Sequence, residues 1–353
     1  GEVVGAAVVV RDAVTADAPT VLDVALEDAA VGEGGTAAEL LAQAADAPTV
    51  PGQVVVGPLA LYHLADLHRA SGDAEAAATA LAAARSADAT WCLASRLDDA
   101  DMLARTCAAV PGDARAHALL GHWLYAAGRR GDAVAQWTRA AGLDATDPVV
   151  WRNLGVAAVN VDRDLEAAAR HYVRARALAP DDARLLFEAD QLAKIAGVPA
   201  EERLAVLERS RGLVGRRDDL TVELVALLTA TGRADEALQT LLARRFQPWE
   251  GGEGQVLAAW DEAHLALARA ATAAGDAPRA VALLREALEP VPSLGEGRHP
   301  LANSSHLLLA LGDALAAAGE PDEARAAWRL AAASVGDFQS MAATPFSEMT
   351  YYA

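Results

Sequence analysis

Alanine, leucine and valine recur along this chain at the spacing of amphipathic helices, and short polar turns interrupt them at regular intervals. The turn has a fixed form, a Gly (or an Asp in its place) followed five residues later by Ala, clearest at Gly72/Ala77, Gly128/Ala133, Gly232/Ala237, Gly275/Ala280 and Gly319/Ala324. From turn to turn, 128 to Asp162 is 34 residues, 162 to Gly197 is 35 and 197 to 232 is 35. Such a period predicts one helix-turn-helix unit per repeat, stacked so that neighbours bury a face that no unit can bury alone.

The residues within the period resemble the tetratricopeptide signature, W-x2-L-G-x2-Y on a first helix (A) and A-x3-F, then A and P, on a second (B). The central unit shows Trp151, Leu154 and Gly155, then, after a one-residue slip, Ala168, Tyr172, Ala175 and Pro180. His117, Leu120, Gly121, Leu124, Ala133, Trp137 and Ala140 repeat it one unit earlier, and Leu308, Leu311, Gly312, Leu315, Ala324, Trp328 and Ala331 repeat it late in the chain. The small eighth residue lets helices A and B approach closely, and the large residue near position 24 is expected to fill space against the next repeat. Trp123, Trp137, Trp151, Tyr172 and Trp328 are therefore expected to be mostly core. The predicted fold is an all-α, right-handed superhelical solenoid of about eight such units over residues 19 to 353, behind an unassigned lead-in at 1 to 18.

Three irregularities interrupt the array. Between turns 72 and 128 a surplus of 22 residues, centred on 96 to 110, predicts a lone helix B without its helix A. The last two turn-to-turn spacings are 43 and 44, so each of those units carries an excess of nine or ten residues. The excess falls in two inter-repeat loops, at 244 to 260 (opening RRFQPWEGGEGQV) and at 291 to 305 (VPSLGEGRHPLANSS), both containing Gly-Glu-Gly. Loops on consecutive repeats and on one edge should lie side by side, supporting one another, with Trp249 partly buried against the second insertion. Trp249, Glu250, Glu253 and Glu296 become candidate ligand-binding residues: a flat apolar face beside carboxylates suits a sugar or a cationic side chain.

A second candidate surface is the concave face lined by helices A. The register places His122, Tyr125, Arg152, Asn153, Glu188, Gln191, Lys194, Arg269 and His306 on or near it. Arg152, Asn153, Glu188 and Gln191 fall in two consecutive units and are expected to converge. Cations gathered in the groove of an acidic protein would suit a carboxylate-bearing or hydroxyl-rich ligand.

Composition narrows the partners. The chain is 53% hydrophobic but 5% aromatic, as suits close-packed helices with alanine at their contacts. Thirty Lys+Arg against 49 Asp+Glu give a formal charge of −19, which removes the electrostatic footing for nucleic-acid binding. Cys92 and Cys107 form no zinc spacing or disulfide framework and suit a reduced, cytoplasmic protein. The apolar run VVGAAVVV at 3 to 10 is too short to span a bilayer, so no membrane partner is expected. There is no Gly-x-Ser-x-Gly elbow, no metal-spaced Cys/His set and no phosphate loop, hence no cofactor and little support for catalysis.

WRNLGVA, LLFEADQLAKIAG, RDDLTVELVALL, RRFQPWEGGEGQV and LGEGRHPLANSSHLLLALGDAL together resemble the C-terminal half of large bacterial tetratricopeptide proteins that carry an N-terminal, β-rich, galactose-mutarotase-like domain of unknown function. The likeness covers roughly residues 20 to 353. Where that family usually has His, this chain has Gln247. The resemblance implies a connection to carbohydrate metabolism, with sugar chemistry carried chiefly by the N-terminal domain. The chain begins without Met and stops at MTYYA inside what reads as a new helix, and is expected to be part of something longer. The expectation is a non-catalytic docking module whose partner is a protein or that N-terminal domain. The alternative is that Glu250, Glu253 or Glu296 contributes to a sugar-binding or glycosidase-like site completed by the missing domain, since such chemistry needs two carboxylates at a defined separation.

Overall fold

A computed structural model describes residues 17–48, 52–247, 249–299 and 302–333. All but the last two residues of the lead-in, and the helix expected at the C-terminus, lie outside the described residues. Among the described residues the chain is all-helical, and it divides into two compact units at Leu178/Ala179.

The first unit contains the hairpins α1 (Ala18–Ala30)/α2 (Gly34–Ala45) and α3 (Gly57–Ala70)/α4 (Ala74–Ser86). After the single helix α5 (Leu97–Ala109) come the hairpins α6 (Ala114–Ala126)/α7 (Arg130–Leu143) and α8 (Pro148–Ala157)/α9 (Leu165–Leu178). The second unit contains α10 (Ala183–Ile195)/α11 (Ala200–Arg209), a helical turn α12 (Arg211–Val214), α13 (Asp218–Ala230)/α14 (Ala234–Leu242), α15 (Gln255–Ala273)/α16 (Ala277–Leu288) and α17 (Ser305–Ala317)/α18 (Pro321–Ala333). These are eight tetratricopeptide-type hairpins among the described residues, and α5 stands alone where the surplus predicts a lone helix.

Local chemistry sets the ends of these helices. Asp73, Asp113, Asp147, Asp182 and Asp276 each accept a hydrogen bond from a backbone N–H in the first turn of the helix they precede. The turns inside the hairpins use glycines in the left-handed region, from Gly32 (φ 92°) to Gly319 (φ 85°), which L-residues adopt only with strain. One hairpin departs from this pattern. Between α8 and α9 the left-handed residue is Arg163, one place after Asp162, and a π-helical turn at Ala158–Asp162 precedes it. A π turn takes in one extra residue, which is the physical form of the one-residue slip in the central signature.

The packing of the signature aromatics differs from expectation. Trp137 and Tyr172 lie on the glycine of their own hairpin: a Cβ at Gly121 would sit 2.5 Å from the Trp137 ring, and one at Gly155 2.8 Å from the Tyr172 ring. The large residue thus fills the gap that the small residue opens within its own unit. Trp328 lies over Gly312 in the same way but is 37% exposed, so the core reading fails for it at the surface of α18. Gly121→Ala is expected to destabilise the first unit by about 1–3 kcal/mol through overpacking against Trp137, despite alanine's better helix propensity. Gly142→Ala on α7, where a Cβ meets nothing within 4 Å, should instead gain about 0.5–1 kcal/mol. Urea unfolding midpoints of the two variants distinguish these signs.

Arginines bind three of the hairpins to the loops that enter them. Arg139 on α7 donates to the Pro111 carbonyl at 3.2 Å and Arg174 on α9 to the Ala145 carbonyl at 3.4 Å. Arg244, just after α14, donates to the Gly215 carbonyl at 3.4 Å. Cys92 and Cys107 are free and buried, and burial pushes both thiols up to about 12, which leaves them unreactive.

Candidate functional site

In the first unit the A helices α6 and α8 place His122, Tyr125, Arg152 and Asn153 near one another. The Tyr125 ring lies 5.2 Å from that of Trp137, and the Arg130 guanidinium stands 5.7 Å from the Tyr125 centroid, within cation–π range. Asn160, in the π turn, donates its amide to the Tyr125 hydroxyl at 3.2 Å, which ties the end of α8 to α6. Arg152 donates to the Asn153 side-chain carbonyl at 3.0 Å.

The His122 ring packs 5.9 Å from Trp137, and neither of its nitrogens has a hydrogen-bond partner in the protein. Burial pushes its pKa down to about 4; Asp147 opposes that shift and Arg152 adds to it. His122 is therefore a neutral imidazole at neutral pH, and Arg152 and Arg130 bring positive charge to this face.

The His122 shift has a consequence for stability. In the unfolded chain His122 protonates near pH 6.5, and in the folded chain only near pH 4, so the unfolded state binds more protons between those values. Its contribution is full above pH 6.5 and is lost as pH falls toward 4, with a ceiling of about 3 kcal/mol. His122→Gln should flatten that limb of the stability curve, as measured by urea unfolding at pH 7, 5.5 and 4.5.

In the second unit α10 carries Glu188, Gln191 and Lys194, and two of them are committed to the fold. Gln191 is 2% exposed, which corrects its reading as a groove-facing ligand residue. It sits beside a buried network in which Arg203 of α11 binds Asp190 in a fork, at 3.0 and 2.6 Å, and Glu223 of α13 at 3.0 Å. Lys194 reaches the same Glu223 at 2.8 Å. Burial pushes the Asp190 carboxyl up against the pull of Arg203, while Lys194 and its neighbours hold Glu223 low although burial opposes them. Periodicity alone gives no sign of this network, because its partners come from three helices. Glu188 pairs with Arg184 at 2.8 Å on the same helix. Arg269 is exposed on α15, and His306 at the start of α17 faces the buried Asp261 at 3.7 Å.

The two insertions lie side by side, as their positions predict, but the first is shorter than the expected 244 to 260: helix α15 begins at Gln255, so the loop ends at Gly254. Phe246, 1% exposed, donates its N–H to the Ser293 carbonyl at 2.9 Å. Gly295 (φ 76°) comes so near that a Cβ there would sit 2.5 Å from the Phe246 carbonyl oxygen. Glu296 reaches across from the second insertion to the first. Its carboxylate accepts from the Gly254 N–H at 2.8 Å and the Leu257 N–H at 2.9 Å, which caps α15 where negative charge is favoured. Both of its oxygens are thereby engaged in holding the fold. Arg298 continues the clamp with a fork onto Asp261 at 3.0 and 2.6 Å and a bond to the Ala287 carbonyl at 3.0 Å.

Trp249 is half-buried, but its indole lies over Gly252 of its own loop. Glu250 and Glu253 are exposed. Arg244 fixes the start of this insertion by pairing with Asp218, which also accepts from the Gln247 N–H at 2.9 Å.

Among the described residues no group of three or more His, Cys, Asp or Glu is placed to hold a metal ion. Among them, too, no helix is long and apolar enough to cross a membrane. No family model matches the chain. Among solved structures the chain is similar to YrrB, a TPR protein with an unusual peptide-binding site, at 17% identity over 54% of this chain and 92% of that one, with a TM-score of 0.43. It is similar to the Naa15/Naa10 structure bound to HypK-THB at 14% identity, over 77% of this chain and 36% of that one, TM-score 0.43. A tetratricopeptide repeat protein from Parabacteroides merdae ATCC 43184 matches at 11% identity, over 84% and 98%, TM-score 0.35. The hairpins themselves, with glycine turns and an aromatic seated on a glycine, make this chain an all-α tetratricopeptide-type repeat protein.

Proposed function

We propose that this chain is a non-catalytic docking module that takes an acidic polypeptide segment of a partner against the A-helix face of α6 and α8. The observation that carries the reading is the surface shared by two consecutive hairpins, where the Asn160–Tyr125 bond joins α6 to the end of α8 and Arg130 lies over the Tyr125 ring. Aromatic, amide and guanidinium groups on adjoining helices suit a backbone with carboxylate side chains. Arg152 supplies charge beside a neutral imidazole whose nitrogens are buried. The carbohydrate alternative would have to work through Trp249, Glu250 and Glu253, since Glu296 is engaged at the start of α15.

A random dodecapeptide library displayed on phage provides the test. Peptides selected on the chain should be enriched in Asp and Glu, and should bind Tyr125→Ala or Arg152→Glu at least about tenfold more weakly by calorimetry. Selected peptides that bind both variants as they bind the parent would refute the reading.

A further inference from the structure

The stretch that takes the place of the missing A helix before α5 carries a second, separate surface. From Trp91 to Ser95 exposure alternates: Trp91, Leu93 and Ser95 face out while Cys92 and Ala94 are buried. That is the pattern of an extended segment with one face on the core. The outward row is apolar, with Trp91 67%, Leu93 52% and Leu97 65% exposed. The Val55 N–H donates to the Trp91 carbonyl at 3.1 Å, which brings Val54, itself 52% exposed, to the same edge.

Two further features set this edge apart. Trp91 has φ 61°, in the left-handed region where a bulky L-residue is strained, and such strain collects at binding sites. Beside it a cavity of about 160 Å³ opens between Pro19, Ala44, Val54, Val55, Ala87 and Asp88. A cavity near 150 Å³ accepts a benzene-sized group.

Carboxylates predominate around the row, and the arginines among them are engaged: Arg105 by Asp66, and Arg115 by the Ala84 and Ala87 carbonyls. Asp88, Asp98 and Asp101 are exposed, whereas Arg96, the cation between them, is engaged by Asp23 and by the Pro19 carbonyl. We propose that this edge docks an extended partner peptide with apolar residues at alternate positions and Lys or Arg on its flanks. Trp91 and Leu93 meet its apolar row, one of its side chains enters the cavity, and Asp88, Asp98 and Asp101 meet the flanking cations. The surface is distinct from the A-helix face of α6 and α8, and its ligand has the opposite charge.

The probe is a ten-residue peptide with leucine at alternate positions between two lysine pairs, titrated into the chain by calorimetry at 50 mM salt. Its counterpart with glutamate pairs should bind roughly tenfold more weakly, and the difference should shrink in high salt. Trp91→Gly should weaken the lysine peptide roughly thirtyfold. Because glycine accepts a positive φ, the same variant should unfold at an equal or higher temperature, so lost binding cannot be put down to misfolding. Equal binding of the two peptides, unchanged binding by Trp91→Gly, or no binding by the parent chain would overturn the proposal. So would a dimer of the parent that Trp91→Gly dissociates, which would mean that a second copy occupies the edge.

Discussion

Arg203→Met is expected to destabilise the second unit by about 3–5 kcal/mol, the cost of leaving buried charge without its partner. Arg203 is 7% exposed, and its guanidinium holds Asp190 and Glu223, carboxylates of two different helices. Without it the two acids remain close, and only Lys194 balances Glu223. The loss should shrink at low pH, because protonating Asp190 removes the unpaired charge; its carboxyl, already raised by burial, would rise further without Arg203. A second substitution supplies the control. Asp190→Leu added to Arg203→Met should recover a large part of the stability, since an apolar pair of similar volume replaces a buried ion pair at little cost. Urea unfolding of the parent, both single variants and the double variant closes the cycle, and strict additivity would show that the network is not a unit.

Phe246→Ala is the second large effect, also at about 3–5 kcal/mol for emptying a buried aromatic site. Its reach should extend beyond its own loop. Phe246 is where the first insertion bonds to Ser293 and meets Gly295 of the second, and Glu296 then caps α15 from that same segment. Amide exchange should therefore quicken at 291–299 as well as at 244–254, and also in the first turn of α15. Faster exchange confined to 244–254 would show that the insertions stand independently.

The sequence made the array legible because each hairpin needs a glycine at its turn and a small residue under its aromatic, and both recur at a fixed period. The lone α5 and the adjoining insertions were legible as arithmetic on that period. Individual side chains were less so. Gln191 falls on a plausible groove position, yet it is buried and hydrogen-bonds Glu223 of another helix. Glu296 looks like a loop carboxylate until α15 is seen to begin beneath it. Ion pairs and caps across long separations follow from three-dimensional packing, which periodicity does not encode. Nothing in the period marks Trp91, which lies outside every repeat, and WCLAS has no polar–apolar alternation to show which of its faces is exposed.

The most direct test of the docking account is amide hydrogen exchange of the chain alone and saturated with its best selected acidic peptide. Bound peptide should slow exchange along α6, α8 and the π turn, at 114–126 and 148–162, and leave 88–101 unchanged. Protection that falls on the outer helices α7 and α9, or on none of these segments, would contradict it.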